Sequence, residues 1–193
     1  MKINWSRVAD SSNFEPLPIA KYPCVLAVTN KQVDAQGGAV KDADGNAATL
    51  KTVAGDEKWR VKATVLDGPY IGRWITDNLP FSEAGLKRTK IVLTRAGIID
   101  DETTDYDAQP EELDGTYWWI GTKQEARLNA DKTPKLTKDL KPIIDTKIEY
   151  AGYEPMSPQD AKRYREKFAA WEARKADASA PEKEDDDGDP PPF

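Results

Sequence analysis

Histidine is absent from this 193-residue sequence, and cysteine occurs once. The first absence removes the commonest metal ligand and the commonest general base, which excludes a His-dependent hydrolase and leaves little room for a zinc site. The second excludes an internal disulfide. Cys24 lies in the apolar run Pro23-Cys24-Val25-Leu26-Ala27-Val28 and is expected to be a small core residue. Long apolar runs are missing too. Nothing approaches the roughly 20 apolar residues that a membrane helix needs. The segment Met1-Lys2-Ile3-Asn4-Trp5-Ser6-Arg7 has no apolar signal core. A cytoplasmic protein with no membrane partner is expected.

Apolar residues make up 38% of the chain and charged residues 32%, a composition that supports one soluble domain with polar attachments. The net charge is −6, but the acid is unevenly placed. Residues 181–193 hold six acids and one lysine, and without them 27 basic face 28 acidic residues. The body is therefore close to neutral, and the acidity sits at the end. Glu182 to Phe193 has almost no apolar surface to offset chain entropy, so residues 178–193 are expected to be a disordered acidic tail.

Hydropathy patterning divides the rest. Residues 1–20, with Trp5, Phe14 and Leu17, read as a lead-in that packs on a domain spanning 21–154. Residues 21–33 are strand-like, and 34–56, rich in Gly, Ala and Asp, read as a long loop or hairpin tip. From Glu57 to Asp67, Trp59, Val61, Ala63 and Val65 alternate with Lys58, Arg60, Lys62 and Thr64, the period of a strand with one wet face. After the turn Asp67-Gly68-Pro69-Tyr70, alternation over 71–79 turns Ile71, Ile75 and Leu79 inward and Trp74, Thr76 and Asn78 outward. Ser82 to Ala96 reads as a helix with Ser82 as N-cap, Phe81 and Leu86 as a hydrophobic staple, and Gly97 as its stop.

Residues 100–115 hold eight acids and no base and read as a loop. Thr116–Lys123 forms a fourth strand, Lys123–Lys141 a basic hairpin arm, and Ile143–Tyr150 a fifth strand. A helix over 155–177 carries the stripe Ala161, Tyr164, Phe168 and Trp171, which is expected to dock on the domain, with a dimer or nucleic-acid contact as alternatives. No internal repeat is evident. Three strands, a helix and two strands in a mostly β domain is the order of an OB-fold barrel with its helix between strands three and four, and is compatible with other small α+β sheets.

Asp67-Gly68-Pro69-Tyr70-Ile71-Gly72-Arg73-Trp74-Ile75, with Asp77-Asn78-Leu79 and the helix from Leu86-Lys87-Arg88 to Ala96-Gly97-Ile98, resembles a family of small phage single-stranded-DNA-binding proteins of replication and recombination gene sets. The resemblance covers roughly 14–154. Separately, Glu184-Asp185-Asp186-Asp187-Gly188-Asp189-Pro190-Pro191-Pro192-Phe193 is similar to the C-terminal peptide of bacterial single-stranded-DNA-binding proteins, although three prolines stand here in place of an aliphatic residue and a single proline. The resemblance implies an OB-fold, sequence-nonspecific single-stranded-DNA binding in the cytoplasm of a host cell, and replication or recombination partners recruited by the tail through Asp185, Asp186, Asp187, Asp189 and Phe193. It implies no cofactor and no catalysis.

Binding a strand without sequence preference needs cations along the backbone and aromatic platforms for the bases. The residues that suit this are Lys58, Arg60, Lys62, Arg73, Trp74, Tyr117 and Trp119, with Lys123, Arg127, Lys132 and Lys135 on the arm, where Lys138 also lies. An ordinary solvated strand face explains the cations equally well. Trp59 and Trp118 read as core. Trp74 and Trp119 stay open between core and platform, because a one-residue register slip exchanges their faces.

Two metal readings fail. Asp42, Asp44, Gly45 and Asn46 resemble the start of a calcium loop, but the glycine is misplaced and Val53 stands where a bidentate Glu belongs. The acids of 100–114 have no lysine among them, which disfavours a Mg²⁺-dependent nuclease. A non-enzymatic adaptor or DNA mimic directed at a host DNA-binding protein remains the alternative function.

Overall fold

The computed structural model describes residues 15–34, 38–100, 102–103 and 105–179. The expected packing of Trp5 and Phe14, and the acidic tail from residue 180 to Phe193, lie outside the described residues, whereas residues 178–179, expected in the tail, are helical. No helix of the described chain is long and apolar enough to cross a membrane.

Five strands form one antiparallel sheet: β1 (Lys21–Thr29), β2 (Lys58–Val65), β3 (Trp74–Pro80), β4 (Tyr117–Ala126) and β5 (Ile144–Pro155), in the spatial order β3-β2-β1-β4-β5. Helix α1 (Glu83–Arg95) lies between β3 and β4 in sequence, and α2 (Pro158–Ser179) follows β5. The alternating pattern sets the register. Cys24, Leu26 and Val28 oppose Val65, Ala63 and Val61, and all six are buried on one face with Trp59, Ile75, Leu79, Trp118 and Ile120. Burial pushes the Cys24 thiol well above its ordinary range, so it is inert packing. Strand β1 ends at Thr29, short of the expected Val33, which is exposed. Ile71 falls in the turn before β3.

The 30–57 segment is more ordered than its composition suggests. Isolated bridges join Lys31 to Thr49, Lys41 to Ala47 and Lys51 to Glu57. Tight turns close two of these hairpins with Gly45 and Gly55 in the left-handed region, where glycine carries no Cβ penalty. Asp42 serves one of those turns, its carboxylate accepting from the amides of Asp44 and Asn46. The 127–143 arm repeats the device twice, bridging Leu128 to Pro134 and Leu136 to Pro142, but with Lys132 and Leu140 at the left-handed positions. Without glycine each such position costs about 1–2 kcal/mol.

Helix α1 ends as its sequence predicts. Gly97 donates to Thr94 and Ile98 to Leu93, the paired bonds of a Schellman cap. Its start differs: Ser82 occupies the N-cap without a side-chain bond, Leu86 is exposed, and Phe81 packs its ring on Trp59. Within the acidic loop, Leu113 and Pro110 are buried, and Asp114 accepts the amide of Val28.

The strand pairings leave β3 and β5 as edges, so the sheet does not close into a barrel by strand pairing among the described residues. The edges nevertheless approach each other, with α1 packed against both. Arg88 of α1 holds Asp77 of β3 through two bonds of 3.0 and 2.6 Å, and Tyr153 of β5 donates to the same carboxylate at 2.8 Å. Burial and the adjacent Asp77 charge push the Tyr153 phenol well up, so it remains a donor. Arg95 donates to the carbonyls of Ala151 and Tyr153. Arg88 also reaches the Ile148 and Glu149 carbonyls at 3.4 Å, so two guanidiniums satisfy β5 edge carbonyls that another strand would otherwise pair.

Candidate nucleic-acid interface

The second face of the sheet is formed by the residues that alternate with the core. Register places Trp74 of β3 beside Thr64 of β2, Thr64 beside Val25 of β1, and Val25 beside Tyr117 of β4. The next row is Thr76, Lys62 and Ala27, and the one after it Asn78, Arg60 and Thr29. Trp74 is 60% exposed while its neighbour Ile75 is 2% exposed. The Lys62 ammonium lies 4.7 Å from the Trp74 ring centroid. No carboxylate pairs with Lys62 or Arg60 among the described residues. An open indole, a lysine and an arginine thus share one wet surface.

Helix α2 crosses the lower end of this face. Ser157 caps it by accepting the Asp160 amide, with Pro158 in the first turn. Buried Tyr164 meets Trp119 edge-on at 5.3 Å, and Arg165 stands 5.2 Å over Tyr117. Farther along, Lys167 bonds Asp67 at 2.5 Å and Trp171 rests on Gly72, both in the β2–β3 connection. Seven residues of helix advance about 10.5 Å. Two strand spacings are about 9.5 Å, so the stripe from Tyr164 to Trp171 reaches from β4 to β2. Lys167 holds the Asp67 carboxyl below its ordinary value. Acid should therefore weaken this anchor as pH falls through the lowered value; above the ordinary 3.8 it is intact.

Gly72 is the tightest point of the seat. It has φ of 81°, and a Cβ there would collide with the Trp171 ring. Gly72→Ala should lower the melting temperature and shift Trp171 emission to longer wavelength; unchanged emission would mean that α2 is not seated there.

The structure distributes the sequence-predicted residues among several places. Arg60, Lys62 and Trp74 come together. Lys58 is half-buried at the far end of β2, beside Pro80. Arg73 turns away from the face, its guanidinium over Tyr70 and bonded to the Glu15 carbonyl. Tyr117 and Trp119 point outward but lie under α2 and are half-buried. Lys123 pairs with Glu125, and Arg127 grips Asp145 through bonds of 3.0 and 2.6 Å. That pair holds the Asp145 carboxyl below its ordinary range and raises Arg127.

Because β4 runs antiparallel to β1, with Lys21 opposite Gly121, the 127–143 arm leaves beyond the start of β1 while the 30–57 arm leaves beyond its end. Lys132 and Lys135 are exposed on the first arm, at the end of the sheet away from the Arg60 row. No protein-family model and no curated protein matches this chain. Arg165 lies with Lys162, Arg163 and Lys167 beside the apolar stripe of the helix, for which a nucleic-acid contact is one of the alternatives legible in the sequence, although it is not among the strand-face and arm residues named there.

Proposed function

We propose that this chain binds single-stranded nucleic acid, with DNA as the expected ligand, across the outer face of β1, β2 and β3, and that the sheet is an OB-fold whose open seam is held by α1. The observation that carries this reading is exposed Trp74 with Lys62 over its ring, on a face that also presents Arg60. Supporting it, the order β3-β2-β1-β4-β5 with a helix between strands three and four is the arrangement of that fold, in which strands two and three and the loops after strands one and four contact oligomers. Bases stack on the indole and the cations follow the backbone, a sequence-tolerant mode.

The body is nearly neutral, so few phosphates are engaged and affinity is modest and salt-sensitive. Titration with oligo-dT at low salt should quench tryptophan fluorescence. Absence of both quenching and a gel shift would reject the reading.

In this reading the tail, which lies outside the described residues, recruits replication or recombination proteins and competes with the strand by charge. A chain ending at Ala180 should bind oligo-dT more tightly than the full chain, with the gap closing at high salt. Equal affinities would remove competition and leave recruitment alone.

A further inference from the structure

We infer that Arg165 of α2 contacts a phosphate at the edge of this groove, that Tyr117 positions it, and that α2 is a fixed wall of the groove. The inference rests on the single-strand reading. Tyr117 and Trp74 end the same cross-sheet row, Tyr117-Val25-Thr64-Trp74. Three strand spacings separate them, roughly 14 Å of groove floor. Arg165 is exposed and stands over Tyr117, so a cation marks one end of the row and an open indole beside Lys62 the other.

Of the neighbouring cations of α2, Lys167 is paired with Asp67, and Arg163 stacks on Tyr164 of α2 itself, so Arg165 is the helix arginine stacked on a ring of the sheet. Arg165 pairs with no carboxylate among the described residues. Stacking on a ring orients a guanidinium while leaving its N–H fork for a phosphate, so less freedom is lost on binding. Three anchors along α2 argue for a wall. Tyr164 is buried on Trp119, Lys167 holds Asp67, and Trp171 fills the space that Gly72 leaves.

The test is anisotropy of labelled oligo-dT against salt, using the full chain and variants of matched melting temperature. Arg165→Gln should weaken binding about three- to tenfold at low salt and flatten the log–log salt slope by about 0.7, the value of one phosphate on a single strand. Tyr117→Ala should reproduce both effects. Tyr117→Phe, which keeps the ring, should not. Lys87→Gln, on α1 away from this face, should change neither measurement. Unchanged affinity and slope for Arg165→Gln, while Trp74→Ala still loses binding, would overturn the Arg165 contact and spare the function. Tighter binding by Arg165→Gln would overturn it in favour of a helix that must move aside. A folded chain that binds no oligo-dT would reject the function itself.

Discussion

Arg88→Ala should cost about 3–5 kcal/mol in urea unfolding, the usual consequence of stranding one member of a largely buried charge pair. Asp77 and Arg88 keep only 12% and 19% of their side-chain surface. Removing the guanidinium leaves the carboxylate with the Tyr153 phenol and the Asn78 amide but no cation, and removes the bridge from α1 to the seam between β3 and β5. Asp77→Ala should cost a similar amount, because it strands the guanidinium. The double replacement Asp77→Leu with Arg88→Met should cost clearly less than the two single losses together, since no buried charge is left unpaired. Single losses below about 1 kcal/mol would mean that the seam is held by apolar packing.

Trp74→Ala should weaken oligo-dT binding by about 1–3 kcal/mol, roughly five- to 150-fold in Kd. Stability should barely move, because the ring is mostly in solvent. That separation between binding and stability distinguishes a platform from a core residue. Trp74→Phe should recover part of the loss, since a smaller ring still stacks. Lys62→Gln should cost less than Trp74→Ala and should flatten the salt dependence, because it removes charge and leaves the π-face. A Trp74→Ala variant that binds as well as the parent would place the strand elsewhere.

Much of the sheet was legible because period-2 alternation is strict where one face is buried. Trp59, Val61, Ala63 and Val65 follow it without exception, and the same rule turns Trp118 inward and Trp74 outward. Gly97 was legible because the helix stop requires a left-handed residue. Periodicity does not reveal what covers an outward residue. Trp119 faces outward as its register requires, yet Tyr164 covers it from 45 positions along the chain. The stripe on α2 announced a docking face but not its seat, which depends on Gly72 lacking a side chain.

Single charges were silent for a similar reason. Nothing in the sequence marks Arg88 as the partner of Asp77, or Asp145 as the partner of Arg127, because each pairing is set by tertiary geometry. The hairpin arm after β4 was legible as such, but its division into two tight turns was not, because Lys132 and Leu140 fill positions where glycine would have been the signal.

The most direct test of the groove is photocrosslinking of the full chain to an oligonucleotide carrying 5-iododeoxyuridine, followed by mapping of the adduct. The account predicts the adduct at Trp74, in the tryptic peptide spanning 74–87. Adducts confined to the 127–143 arm, or none under conditions where the oligonucleotide is bound, would contradict it.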